Sequence, residues 1–157
     1  MKLNLRYLIL FCFLLFLSGC QNSGPVTEKE LDNFINSKNL EHVSIQKLNS
    51  KEYYIFSSPD IYVYRSSSEY SKSSGMIRDK IVIGGLEKGS IGLIINNAQV
   101  LRYAKTYTVM IDGKIREYEY TGEKYLIIKD YRIWNPTAQL KITFLNDRNE
   151  EIFATEY

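Results

Sequence analysis

Histidine is nearly absent from this sequence of 157 residues, and so are the motifs on which common catalytic centres depend. A nucleophile and base pair of the Ser–His or Cys–His kind needs a histidine within reach, and the chain contains only His42. No Gly-x-Ser-x-Gly motif accompanies it. We therefore interpret His42 as a surface or boundary residue and predict no catalytic residue of this type.

Metal-binding patterns are also missing from the sequence. It contains no Asp-x-Asp-x-Asp loop and no His-Glu-x-x-His segment. Asp147, Glu150 and Glu151 gather carboxylates before the last predicted strand, but a solvated hairpin tip explains these residues better than a calcium site does. The sequence predicts no metal site and no cofactor.

No apolar run in the sequence has the roughly 20 residues that a membrane-spanning helix needs. The most apolar segment, residues 7–17, follows Lys2 and Arg6 and is followed by Ser18-Gly19. A basic region, a short apolar region and small residues in this order are typical of a cleaved secretory signal. We expect residues 1–19 to be removed.

A cysteine follows the small pair directly, and Leu17-Ser18-Gly19-Cys20 resembles the lipobox of bacterial lipoproteins. The resemblance implies cleavage before Cys20, a lipid on its sulfur and anchoring at the extracytoplasmic face of the cell membrane. The alternative is a secreted protein with a chance cysteine at the cleavage site. Taken whole, the chain resembles small lipoproteins common in low-GC Gram-positive bacteria, a resemblance that implies a location and no activity.

Excess charge of one sign is absent from the expected mature chain. Loss of Lys2 and Arg6 lowers the number of basic residues from 20 to 18, which equals the number of acidic residues. This balance argues against a nucleic-acid partner. Cys12 leaves with the signal and the lipid occupies Cys20, so no disulfide is predicted. Burial of apolar surface must then stabilise the domain.

The start of the mature chain has two parts. Residues 20–26 have the small, polar composition of a tether. Thr27 and Glu30 form the pattern of a capping box at the start of a short helix over residues 27–37. The apolar residues of this helix share one face; they are Leu31, Phe34 and Ile35.

Two further segments follow the helix. Residues 43–65 are rich in β-branched and aromatic side chains around the turn signal Ser57-Ser58-Pro59-Asp60, and we predict a hairpin there. Residues 66–75 are polar and rich in serine, and we expect them to form a mobile loop.

Residues 76–157 consist of short apolar runs separated by turn signals. The turn signals are Gly84-Gly85, Asn96-Asn97, Asp112-Gly113, Thr121-Gly122, Asn135-Pro136 and Asn146-Asp147. Asp112-Gly113 is the strongest, because a two-residue type I′ turn needs positive φ at both positions. The pattern lacks crossover helices and resembles an immunoglobulin-like or fibronectin-type sandwich. We therefore predict a mainly β, antiparallel sandwich with a short N-terminal helix.

The glycines near residue 85 invite comparison with a phosphate-binding loop. Ser90 and Ile91, however, stand where that motif requires lysine and then serine or threonine, and no helix signal follows. We predict a tight turn over residues 84–90.

Paired carboxylates for glycoside hydrolysis are defined by their separation in space, so sequence cannot select a pair. The candidates are Asp60, Asp79, Glu117, Glu119 and Asp130. Glu117 and Glu119 lie two residues apart on a predicted strand and share one face, which is more simply a polar outer face.

Tyrosine is the one residue type whose clustering suggests a function. The cluster consists of Tyr53, Tyr54, Tyr62, Tyr64 and Tyr70. Exposed tyrosines provide contact area at low entropic cost and would form a binding surface for carbohydrate or protein. The alternative is that they belong to strands and the core, since strands favour tyrosine.

These observations predict a non-enzymatic, lipid-anchored module that binds a cell-wall glycan or an envelope protein. Two alternatives stay open at this point. One is a small cell-wall hydrolase with paired carboxylates, and the other is a structural module without its own ligand in a larger lipoprotein complex.

Overall fold

The computed structural model describes residues 24–133 and 139–156, and it confirms a mainly β, antiparallel fold with a short helix near its start. The predicted signal, the lipobox with Cys20, the first part of the tether and the Asn135-Pro136 turn lie outside these residues. Within the described ranges, neither helix is long and apolar enough to cross a bilayer.

Strands of the described chain form three antiparallel sheets. Sheet A contains β1 (Ser44–Asn49), β2 (Glu52–Ser57), β3 (Asp60–Tyr64) and β4 (Tyr70–Ser74) in that order. Sheet B has the order β10 (Tyr125–Lys129), β7 (Ser90–Ile95), β6 (Ile81–Glu87) and β5 (Met76–Arg78). Sheet C has the order β12 (Glu151–Glu156), β11 (Leu140–Leu145), β8 (Thr106–Ile111) and β9 (Lys114–Glu119). The helices are α1 (Glu28–Ser37) and α2 (Ala98–Tyr103).

Sheets B and C form the predicted sandwich. Strands β6, β7 and β10 lie in sheet B, opposite β9, β8, β11 and β12 in sheet C. Strand β5 is added beside β6 at the edge of sheet B. Inward side chains of both sheets alternate along their strands and fill a shared core, for example Ile83, Leu93, Val109, Ile142 and Phe144.

Sheet A and helix α1 extend the sandwich to a stack of four layers. Ile81 and Ile83 of β6 point into the sandwich core, whereas Val82 points to the other side and packs against sheet A. The opposite face of sheet A packs on α1 through Leu31 and Phe34. Sheet B is therefore covered on both faces, which explains why residues 81–85 and 90–95 are buried without interruption.

The glycine-rich segment differs from its prediction. Gly84 and Gly85 lie inside β6, and only Lys88 and Gly89 form the turn. The ring of Tyr54 enters from sheet A and lies where a side chain would otherwise stand: a Cβ on Gly85 would come within 2.8 Å of it, and one on Gly92 within 3.0 Å. Gly85 and Gly92 thus leave space for the Tyr54 ring between sheets A and B, and Gly84-Gly85 do not form the predicted tight turn.

The predicted mobile loop over residues 66–75 is also corrected. Tyr70–Ser74 form strand β4, which pairs with β3, and only residues 65–69 connect the two strands. The hairpin prediction at Asp112-Gly113 is confirmed, since β8 and β9 pair around it and both turn residues have positive φ. Helix α2 was not predicted.

Candidate functional site: an aromatic groove beside helix α1

Helix α1 is fixed at its start by the predicted capping box. The Thr27 hydroxyl accepts a hydrogen bond from the Glu30 amide at 3.3 Å, and the Glu30 carboxylate accepts one from the Thr27 amide at 2.8 Å. The Thr27 hydroxyl also donates to the Glu30 carboxylate at 2.7 Å, and the hydrogen bonds from the Thr27 amide and hydroxyl lower the pKa of Glu30. Leu31 and Phe34 then face sheet A, so the helix has one defined rotation about its axis.

One stripe of α1 lines a groove of about 310 Å³. Its helical residues follow the i, i+3, i+4, i+7, i+8 spacing of a single face; they are Glu30, Asn33, Phe34, Ser37 and Lys38. The other wall comes from sheet A and the turn between β3 and β4, through Tyr64 and Ser67. A volume near 300 Å³ is at the lower end of small-ligand sites.

Phe34 is the centre of the aromatic side of the groove. Its ring centroid lies 4.7 Å from that of Tyr64, 4.9 Å from that of Tyr70 and 5.7 Å from that of Tyr62. Tyr64 and Tyr70 are direct cross-strand partners in β3 and β4. Burial raises the pKa of the Tyr64 hydroxyl, and the negative charge of Glu30 raises it further. The Tyr64 hydroxyl is therefore uncharged at neutral pH.

The polar side of the groove offers hydrogen-bonding groups and a cation. The ammonium of Lys38 lies 4.8 Å from the centre of the Tyr70 ring, within the range of a cation–π contact. The Ser37 hydroxyl donates a hydrogen bond to the Phe34 carbonyl at 2.8 Å and keeps an acceptor oxygen. Asn33 and Ser67 are exposed. An aromatic wall opposite neutral hydrogen-bonding groups suits a polar ligand with apolar faces.

The five tyrosines of the predicted binding surface divide into two groups. Tyr54, Tyr62 and Tyr64 are buried, with at most 4% of their surface exposed, so the expectation of an exposed ring is wrong for them. They are core residues because both faces of sheet A are covered. Tyr53 is half-buried and packs against the α1 cluster. Tyr70 is 37% exposed and is the member whose ring is open to a ligand.

The candidate carboxylates of the hydrolase alternative hold structural positions. Asp60 pairs with Lys72 at 2.8 Å, and Asp79 lies in the β5–β6 turn. Glu117 and Glu119 are exposed on β9 and pair with outward-facing threonines of β8. The side chain of Asp130 is fully buried, and its oxygens accept hydrogen bonds from Arg132 and Tyr118.

His42 and the acidic β11–β12 turn lie away from the groove. His42 is exposed and has φ of 51°, at the entry to β1. The β11–β12 turn is held by Asn146, whose side-chain oxygen accepts hydrogen bonds from the amides of Arg148 and Glu150. Among the residues that the structure describes, no group of three His, Cys, Asp or Glu side chains is arranged to hold a metal ion.

Comparison with known proteins adds no relative to these observations. No family model, curated protein or solved structure matches the chain. The candidate site therefore depends on its geometry alone.

Proposed function

We propose that this chain is a lipid-anchored binding module of the bacterial cell envelope. Cys20 carries the anchor, the module stands at the outer face of the cytoplasmic membrane, and the groove beside α1 binds an envelope component. The groove is the observation that supports binding most directly, since it combines the rings of Phe34 and Tyr64 with polar groups of α1 and the β3–β4 turn. The exposed ring of Tyr70 lies beside the groove, 4.9 Å from the Phe34 ring.

The ligand classes that fit the groove are a wall glycan and a segment of an envelope protein. Sugar rings and extended peptides both present apolar faces flanked by hydrogen-bonding groups. Tyrosine contributes a large contact area at low entropic cost, and Lys38 adds affinity for a carboxylate or phosphate on either kind of ligand. Glu30 also lines the groove and keeps its negative charge in the helix cap, so Glu30 and Lys38 give the groove one charge of each sign.

The anchor has a direct test in cells. A chain with Cys20→Ala should lose incorporation of radiolabelled fatty acid, keep its signal segment and leave the membrane fraction. If the variant fractionates like the unchanged chain and is processed equally, Cys20 is not the anchor.

The groove has a separate test with the soluble domain, residues 21–157. All three apolar clusters are built from residues 26–153, so this form keeps the whole described core. We expect purified peptidoglycan, teichoic acid or an envelope protein to retain it, and Tyr70→Ala to weaken retention by about tenfold, the effect of one aromatic anchor.

A matched control comes from Tyr103 on α2, which is 54% exposed and lies outside the groove. Tyr103→Ala should leave retention unchanged. Equal losses in the two variants, or no retention of the unchanged domain by any envelope component, would overturn the binding proposal.

A further inference from the structure

The tether joins the domain at an end that three contacts define. The Val26 amide donates to the Ser50 carbonyl in the β1–β2 turn at 3.3 Å. The ammonium of Lys129, at the end of β10, reaches the Leu48 carbonyl at 3.3 Å. The Arg132 guanidinium then donates to the Lys114 carbonyl at 2.6 Å, beside the β8–β9 turn. These contacts bring one end of each of the three sheets into a continuous surface.

Among the described residues, this end of the molecule carries exposed basic side chains and the exposed aromatic ring of Tyr131. We call it the basal surface, and its residues are Lys51, Lys114, Arg116, Lys129 and Tyr131. Tyr131 is 74% exposed, and the Arg116 guanidinium lies 4.7 Å from the centre of its ring. An aromatic ring held among cations at the rim of a domain is a favourable arrangement for a membrane interface.

Other charges at this end are largely paired. Arg65 binds Glu52 at 2.7 Å and Glu87 at 2.9 Å, and Glu69 lies 3.8 Å from it. Arg132 is paired with Asp130 in the same way, at 2.6 Å, and the Arg116 guanidinium lies 3.8 Å from the same carboxylate.

Asp112, in the β8–β9 turn next to Lys114, is an exposed acid at this end. The first turn of α1 carries Glu28 and Glu30 against Lys29, and the Glu30 carboxylate is bound in the helix cap. Lys51, Lys114 and Lys129 form no ion pair with any described residue, and these three lysines give the basal surface its positive charge although the expected mature chain is neutral overall.

We infer that the basal surface rests on the anionic head groups of the membrane that holds the lipid, an inference that rests on the proposed anchoring through Cys20. Residues 20–26 reach about 20 Å when fully extended, so the anchor keeps this end close to the bilayer. Electrostatic attraction extends about 8 Å at physiological ionic strength and acts on lysines that the tether already holds near the surface. The domain then takes one orientation rather than tumbling on its tether.

The inference is testable with the soluble domain, residues 21–157, and lipid vesicles, so that no covalent lipid contributes. Vesicles of phosphatidylcholine with one third phosphatidylglycerol should co-sediment the domain at low salt. Vesicles of pure phosphatidylcholine should not, and added salt should release the bound domain.

The decisive variant combines Lys51→Glu, Lys114→Glu and Lys129→Glu. Each basal lysine contributes about fivefold in partitioning to an anionic surface, so loss of the three positive charges alone should lower binding about a hundredfold, and their reversal to glutamate should lower it further. A matched control with the same change of net charge is Lys105→Glu, Lys124→Glu and Arg148→Glu. These three residues are exposed at the opposite end, where Lys105 bonds to Leu145 and Tyr120 through its backbone, and the control should keep most of its binding.

Circular dichroism tests whether both triple variants fold. If the basal triple variant does not fold, the variant with glutamine at the same three positions takes its place. Equal losses in the two triples, or equal binding to neutral and anionic vesicles, would overturn the inference. These outcomes are independent of the earlier tests, since loss of the anchor or of Tyr70-dependent retention overturns the proposed function and leaves the vesicle result standing.

Discussion

Replacement of Asp130 by asparagine should remove an acid-sensitive part of the stability of this fold. Asp130 lies just beyond β10, and its carboxylate is fully buried. Burial alone would raise its pKa, but hydrogen bonds from the Arg132 side chain and amide and from Tyr118 outweigh burial and lower the pKa to about 2. The usual value is 3.8.

The direction and size of the effect follow from proton linkage. A group whose pKa is lower in the folded chain stabilises it above the unfolded value and loses this contribution as pH falls. The difference between 3.8 and about 2 corresponds to about 2 kcal/mol. About half of it should be gone near pH 3 and nearly all near pH 2.

Asp130→Asn should cost about 3 kcal/mol at neutral pH, because it leaves the Arg132 guanidinium, only 12% exposed, without its carboxylate. Urea denaturation of both chains over a range of pH measures the gap between their free energies of unfolding. The gap should shrink by about 2 kcal/mol as the pH falls to about 2, since only the unchanged chain has this contribution to lose. Asp147→Asn, in an exposed turn, is the control. The free energy of unfolding of this variant should change with pH in the same way as that of the unchanged chain. A gap that stays constant with pH would refute the linkage argument.

Two further substitutions probe the layers around sheet A. Tyr54→Phe should lower the free energy of unfolding by about 1–2 kcal/mol, because the buried hydroxyl donates to the Gly85 carbonyl at 2.7 Å and lies 2.8 Å from the Ser90 hydroxyl; urea denaturation measures it, and no change would mean that water replaces these contacts. Thr27→Ala should cost about 1 kcal/mol through loss of the capping box, whereas Thr27→Ser should cost much less; equal losses would show that the cap hydroxyl is unimportant.

Local signals in the sequence were sufficient for several elements. The capping pattern of Thr27 and Glu30 located the start of α1, and Asp112-Gly113 located the β8–β9 hairpin, because in both places neighbouring residues alone determine the backbone. The fold class followed from the alternation of short strands and turns. These predictions required no knowledge of distant contacts.

Strand β4 and helix α2 were not predicted, because their own residues do not form the pattern of a strand or a helix. Strand β4, Tyr70–Ser74, has the polar sequence of a loop and becomes a strand because the exposed edge of β3 offers it a hydrogen-bonding partner. Helix α2 has only six residues, too few for a helical period, and its clearest signal was Asn97, which caps the amides of Gln99 and Val100.

The candidate site could be predicted only in part. The clustering of tyrosines pointed to the part of the fold that forms the candidate groove, but it could not separate the exposed Tyr70 from the buried Tyr62 and Tyr64. Alternation of apolar and polar residues does not identify the exposed side chains of sheet A, because both of its faces are covered. Helix α1 covers one face and sheet B covers the other. The sequence predicted the apolar face of α1, but the polar stripe beside it becomes a groove wall only through the turn between β3 and β4.

The order of the layers along the chain also has a consequence for how the molecule assembles. Sheet A is complete by Ser74 and consists of neighbouring hairpins, so its contacts have low sequence separation and can form quickly. The sandwich needs pairings such as Ile94 with Tyr125, which close much longer loops. We expect α1 and sheet A to fold first as the chain is made. Tyr54 and Phe56 would then lie on an exposed face of sheet A until β6 and β7 pack against them. Sheet A would then provide the apolar surface on which sheet B packs as the sandwich forms.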